Sequence, residues 1–317
     1  IIVPPLTWVS DIASVINNQH NPIFVDINLS NLSFDIDKLK KAITPHTKAI
    51  FLTHVLGLNG ITDELLSLCA EKNILLVEDV CESHGATYRD MKAGTIGQIS
   101  NFSFYFAHHM STIEGGMVCT NNIEYYDLLR SFRSHGMVRE CKRETFKDCV
   151  KHAHPDLNPD FIFLSPAYNM RSCEINAVLG LSQIKKLDAN NKKRQENFHY
   201  FLSNLNNQKY ITDFNITGQS NYALIVMLKQ GATLAERDNI ENLLNRHCIE
   251  FRRGLSGGGN QLRQPYIEKY GLEVSEDELK NNFANVEHVH NYSWYVGNYP
   301  TLPKEKIDTL INLLNNV

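Results

Sequence analysis

The sequence predicts an α/β fold: a mostly parallel sheet flanked by helices on both faces, plus a smaller C-terminal α+β domain. Three observations predict it. Strand-like and helix-like segments alternate at short spacing from Ile1 to Asp79. Two of the strands, Ala49–His54 and Ile74–Asp79, are nearly continuous apolar runs. A length of 317 residues exceeds one ordinary domain.

The elements follow in order. Ile1–Val3 reads as a short strand, broken by Pro4-Pro5. Trp8 lies in the connection to a helix over Ile12–Asn17, and Pro22–Asp26 is a second strand. Phe34–Ile43 is helical, with Ile36, Leu39 and Ile43 at helical spacing. After the strand Ala49–His54, Thr62 caps a helix over Asp63–Glu71, and the strand Ile74–Asp79 follows. Gly85–Gly97 is a loop. Phe102, Phe104 and Phe106 alternate as in a buried strand, Ala107–Ile113 turns, and Met117–Thr120 returns as a strand. Tyr125–Phe132 is amphipathic, and the Asp-, Pro- and His-rich run Cys141–Pro166 crosses the surface. Ser172–Leu205 has long helical periodicity and links two domains, 1–188 and 189–317. The second domain holds a strand at Tyr222–Leu228, a helix at Leu234–Arg246, a strand at Ile249–Arg252, the Gly-rich Leu255–Gly259 and a final helix at Ile307–Leu314.

Composition narrows the function. With 43% apolar and 21% charged residues the chain is globular, not disordered. A formal net charge of -4 gives no basic footprint for nucleic acid. No apolar run approaches a membrane span, and the opening Ile1–Pro5 lacks the charged flank of a signal peptide. Seven cysteines, an odd number over a long chain, are not a disulfide framework, so a reducing cytoplasm is expected. The chain opens without Met inside an expected strand and reads as a fragment.

In open α/β sheets ligands sit outside the carboxyl ends of the strands. Asp79 and the turn carrying His108, His109 and Glu114 fall at such ends. A solvated loop and a strand-terminating aspartate give the same local pattern.

The run from Phe102 to Gly116, Phe-Ser-Phe-Tyr-Phe-Ala-His-His-Met-Ser-Thr-Ile-Glu-Gly-Gly, resembles the lysine loop of the DegT/DnrJ/EryC1/StrS sugar aminotransferases. The family uses pyridoxal phosphate on the aspartate-aminotransferase (type I) fold. Its loop reads F-S-F-[YF]-x-x-K-x-[LM]-[ST]-[ST]-x-E-G-G, and here His108 stands at the lysine position. An imidazole cannot form a Schiff base, so the cofactor is expected to be held without a covalent bond. Histidine there marks the sugar 3-dehydratases, in which it serves as acid and base. His109, its neighbour in the turn, is expected to point elsewhere. The resemblance implies a large cofactor-binding domain over 1–188. It implies pyridoxal 5'-phosphate and pyridoxamine 5'-phosphate as cofactors, and a nucleotide-linked 4-keto-6-deoxyhexose and L-glutamate as partners.

Glu78-Asp79-Val-Cys-Glu82-Ser-His84-Gly85 resembles the family's E-D-x-x-[QE]-x-H-G, 29 positions before His108. It implies that Asp79 meets the cofactor's ring nitrogen and keeps it protonated. Glu82 falls where a contact to the ring hydroxyl is made. His84 either stacks near the ring or is packed. Trp8 matches an aromatic covering the ring face, and Ser103 a serine directed at the cofactor phosphate. Tyr168-Asn169-Met-Arg171, followed by Glu174 and Gly180, resembles Y-N-x-R-x-x-E-x-x-A-x-x-G. There Asn169 would reach the phosphate of a neighbouring subunit, implying a homodimer with shared sites, and Arg171 the substrate. Phe251 and Arg253, beside Gly257–Gly259, resemble a substrate-binding loop of the small domain. A flexible surface loop is the alternative. The resemblance also implies roughly 70 to 80 residues before the equivalent of Ile1, with a helix start that grips the phosphate.

Two rivals stand beside this reading. An iron-sulfur 3-dehydrase also carries histidine here. Of its C-x57-C-x-C-x7-C pattern, Cys81, Cys141 and Cys149 fit three positions and Arg139 occupies the fourth, whereas such clusters usually need four thiolates. No metal is therefore expected. A degenerate homologue that binds sugar nucleotides without catalysis is the other.

Overall fold

A computed structural model describes residues 1–317. In chain order the first part comprises β1 (Ile2–Val3), α1 (Val9–Asn17), β2 (Ile23–Phe24), α2 (Ile36–Ala42), β3 (Ala49–Thr53), α3 (Asp63–Lys72) and β4 (Leu75–Asp79). Then come a hairpin of β5 (Thr87–Tyr88) and β6 (Met91–Lys92), β7 (Ile99–Ser103), β8 (Gly116–Cys119), α4 (Ile123–Arg133), α5 (Glu144–Ala153) and α6 (Glu174–Asn204). The last part holds β9 (Ala223–Met227), α7 (Leu234–Arg246), β10 (Phe251–Arg253), α8 (Pro265–Lys269), α9 (Glu276–Asn282), α10 (Ala284–Tyr292), β11 (Ser293–Gly297) and α11 (Lys304–Asn315).

The main sheet has the order β2-β1-β3-β4-β7-β8, parallel throughout except for the antiparallel β8. Its fold class is the predicted one. Local chemistry explains the element ends. Thr62 Oγ1 accepts from Leu65 N at 3.1 Å at the start of α3. Asn73 in the left-handed region, φ 52°, closes that helix. Asp35, not Phe34, caps α2, so the helix starts later than its apolar pattern.

The small sheet has the order β10-β11-β9 and is antiparallel. Its central strand β11 and helices α8 to α10 had no counterpart among the sequence-based expectations. One core of 32 buried residues, including Phe198, Phe201, Val226 and Trp294, also takes in Leu6, Leu32 and Leu56 from the first part. The small sheet thus packs against the connections between strands of the main sheet through shared apolar side chains. No helix is long and apolar enough to cross a membrane.

One expected strand is corrected. β7 ends at Ser103, so Phe102 and Phe104 are half-buried while Phe106 is 65% exposed. The chain turns there: Phe104 N donates to Gly115 O and Thr112 N to Phe104 O, both at 2.9 Å. These bonds close the loop that carries His108, and Asn176 Nδ2 of α6 ties it down through Thr112 O and Glu114 O at 3.0 and 3.1 Å.

Candidate active site

The carboxyl ends of β3, β4 and β7 open into a cavity of about 1540 Å³ whose opposite wall is the small sheet and its Gly-rich loop. Trp8, Asp79, Glu82, Ser103 and His108 line one side, and Phe251 and Arg253 the other.

Asp79 is buried at the end of β4. Its Oδ1 accepts from Cys81 N at 3.0 Å and Asn101 Nδ2 at 2.8 Å, which fixes the carboxylate plane. The adjacent Glu78 points the other way, as alternation in a strand requires. Its oxygens accept from the amides of Gly94, Ile96 and Gly97, and His54 Nε2 lies 3.2 Å away. Burial pushes the Glu78 pKa up, but the hydrogen bond and charge of His54 and the Gly94 and Gly97 amides outweigh it and hold it below the usual value. Glu78 is a structural staple; Asp79 is free to act on a ligand.

His108 is half-buried between the edges of Tyr105 and Tyr222, with ring centroids at 5.5 and 5.6 Å. Its Nδ1 is buried and has no partner. Burial lowers its pKa, partly offset by the Asp79 charge, so near neutral pH the ring is uncharged and able to take a proton. Glu82 accepts from Leu56 N at 3.0 Å. Burial, with the Asp79 charge adding to it and the Leu56 and Ser256 hydrogen bonds opposing, pushes its carboxyl up to about 7. Trp8 is 59% exposed, so its ring face is available to a ligand and is not part of the core. Ser103 Oγ accepts from Tyr105 N at 3.2 Å at the mouth of the loop.

His109 does point away from the cavity, but into the protein. It is buried, its Nε2 donates to Ser220 O at 3.0 Å, and its ring packs beside His84 and Tyr222. It therefore ties the His108 loop to the segment that leads into β9. His109→Asn is expected to lose that bond and its packing, lowering stability by about 1–3 kcal/mol. Thermal melting checks this; an unchanged melting temperature would mean that the contact carries no load. His84 is packed: its ring touches Phe102, Phe104 and His109, and it does not line the cavity.

The Gly-rich loop is held in place. Gln261 N donates to Pro5 O at 2.9 Å, and a Cβ on Gly257, at φ +63°, would lie 2.1 Å from Thr7 O. Arg253 lines the cavity while making a two-pronged pair with Glu241, both contacts at 2.5 Å. Asn169 and Arg171 do not join the cavity of their own chain; they are exposed before α6, with Arg171 Nε donating to Asn169 Oδ1 at 3.3 Å. Tyr222 and Tyr295, which also line the cavity, were missed. The signal for Tyr295 was the short alternation Ser293-Trp-Tyr-Val-Gly297.

Comparison with known proteins adds the following. The family model described as DegT/DnrJ/EryC1/StrS aminotransferase family matches residues 1–315. A GDP-4-keto-6-deoxy-D-mannose 3-dehydratase of Escherichia coli O55:H7 is 32% identical over 315 residues, spanning 99% of this chain and 79% of that protein. The structure of the E. coli enzyme with bound hydrated PLP superposes with a TM-score of 0.86 at 30% identity, covering 99% of this chain and 79% of the other. A structure of GDP-4-keto-6-deoxymannose-3-dehydratase with a trapped PLP-glutamate geminal diamine superposes with a TM-score of 0.85 at 30% identity and the same coverage.

Proposed function

The chain belongs to the DegT/DnrJ/EryC1/StrS aminotransferase family, and we propose that it is a PLP-dependent lyase removing the 3-hydroxyl of GDP-4-keto-6-deoxy-D-mannose, with L-glutamate as amino donor. The observation that carries this is His108 on the cavity wall at the position where the family's lysine loop has its lysine. The product class is a 3-deoxy ketosugar, the kind of precursor from which colitose and related dideoxysugars of lipopolysaccharide O-antigen are made. The cytoplasm is the compartment we assign.

The residues present fit pyridoxal and pyridoxamine phosphate. Asp79 offers a buried carboxylate, Trp8 an open ring face, and His108 a ring nitrogen without a partner. When bound, the cofactor supplies an amine for the 4-ketone and an electron-withdrawing ring. The protein does the rest. Asp79 holds a proton on the ring nitrogen opposite it. Trp8 covers one ring face, and Glu82 and Ser103 orient the ring hydroxyl and phosphate. His108 accepts the proton from the carbon bearing the amine and returns it to the departing 3-hydroxyl, work suited to an imidazole titrating below neutrality. Phe251 and Arg253 close the small-domain wall over the sugar nucleotide. We take 1–188 as the cofactor-binding part and 189–317 as the closing part.

We infer a homodimer. Ile175, Val178, Leu181 and Ile184 form an exposed apolar stripe at three-residue spacing along the first half of α6, Ile175 being 71% and Leu181 66% exposed. Asn169 and Arg171 lie just before it and are exposed, and we assign them to a partner's cavity. Sedimentation should give a dimer, and Leu181→Asp should yield monomers of low activity; a fully active monomeric variant would sink the shared site.

A cluster-bearing enzyme is not favoured: Cys81 lines the cavity, Cys141 is buried against Asp127 O, Cys149 is exposed on α5, and Arg139 holds the fourth position. Product analysis with GDP- and CDP-4-keto-6-deoxyhexoses plus glutamate tests the proposal. A 3-deoxy product from the GDP sugar is expected; amino-sugar product, or none from either substrate, would overturn it.

A further inference from the structure

The reading above leaves one buried carboxyl at the end of the sheet without a role. Asp11, in the first turn of α1, is 4% exposed. Its Oδ2 accepts from Thr7 Oγ1 at 2.5 Å and Thr53 Oγ1 at 3.1 Å, and the two hydroxyls are 2.7 Å apart. Thr53 is the register partner of Asp79 across β3 and β4. Thr53 thus bridges the two elements, and the cluster sits beside the Asp79 carboxylate at the end of the sheet. Two carboxyls side by side, one of them buried, resist ionising together. The groups around them do not relieve this. Asp79 and the Cys81 thiol face Asp11, Glu82 and His108 lie next to Asp79, and no lysine or arginine is among them. The two threonine hydroxyls satisfy one oxygen of Asp11 and leave the other for Asp79.

We propose that Asp11 is a positioning residue: held as the neutral acid, it donates a hydrogen bond to Asp79 and sets the orientation and basicity of the carboxylate that meets the cofactor ring. The proposal rests on the role given to Asp79 above. Burial raises the Asp11 pKa well above its ordinary value, and the Asp79 charge raises it further, against the opposing hydrogen bonds from Thr7 and Thr53. The sign for stability follows. With the folded pKa above the unfolded one, the stabilising contribution is present in full at acid pH. It is lost as pH rises from about 4 through the folded pKa. Asp11→Asn keeps a donor and cannot ionise, so it escapes that loss.

The test uses the full chain in two arms. Without cofactor, Asp11→Asn should melt with the wild type near pH 4 and roughly 2–6 °C above it at pH 8. In an Asp79→Asn background that gain should shrink, because the neighbouring charge is gone. With pyridoxamine phosphate, followed by protein fluorescence, Asp11→Asn should bind within about threefold of the wild type, whereas Asp11→Ala, lacking the donor, should lose about tenfold. A melting difference that does not grow with pH would overturn the proposal. So would an undiminished gain in the Asp79→Asn background, or equal affinity losses in the two Asp11 variants. Failure of the wild type to bind the cofactor would instead sink the cofactor reading, and the melting arm would still decide the Asp11–Asp79 contact.

Discussion

Replacing His108 with asparagine should abolish dehydration while leaving the fold intact. The imidazole makes no side-chain hydrogen bond that the fold would lose, and its Nδ1 is unpartnered. What disappears is the group that carries a proton between the amine-bearing carbon and the leaving hydroxyl. Loss of such acid-base work costs about 10²- to 10⁴-fold. Product formation from the GDP sugar measures it, with cofactor affinity expected to stay within a few fold. Activity within tenfold of wild type would assign proton transfer to another group. His108→Lys should behave differently. A primary amine on the cavity wall can bond covalently to the cofactor aldehyde, so borohydride should trap an attached cofactor. Dehydration should still fall, because lysine has a higher unperturbed pKa than histidine and competes for the aldehyde.

The second large effect is expected from Asp79→Asn. An asparagine oxygen can still accept from Cys81 N and Asn101 Nδ2, so the local structure should hold. The negative charge opposite the ring nitrogen is lost, and both half-reactions should slow by roughly 10²- to 10³-fold, the scale of removing one preorganised electrostatic partner. A second readout separates this from simple damage. The Asp79 charge raises the His108 pKa. Its removal should therefore shift the acid limb of the rate profile to lower pH in whatever activity remains. Near-normal turnover of both half-reactions would remove Asp79 from the site.

The main sheet was legible because its signals are local. Apolar runs such as Ile74–Val77, a threonine cap at Thr62 and a proline break at Pro4-Pro5 each act within a few residues of themselves. That Asp79, Ser103 and His108 share one cavity fits the strand ends expected for Asp79 and His108 and the family motif that Ser103 matches. The small sheet was harder. Strand β11 is five residues long and follows directly on α10, and it was not among the expected elements. The alternating phenylalanines misled because a hairpin turn, not the alternation, decides where β7 stops. The inward course of His109 and the place of Asp11 beside the end of β4 could not be read at all. Each depends on elements more than 60 residues apart meeting in space, through Ser220 in one case and β4 in the other.

The adjacent pair at the end of β4 guards its own alignment. Glu78 needs three amides and a histidine, and Asp79 needs an open cavity, on opposite faces of one strand. Sliding the strand by a single residue would swap them. A shortened aspartate would then be offered to the Gly94–Gly97 amides, and a longer glutamate to the ligand. A chain misaligned there could not be a well-folded but inert impostor: the same slip that silenced the chemistry would unfasten the loop beneath it. Quality control that senses a loose loop would thus also cull inactive enzyme.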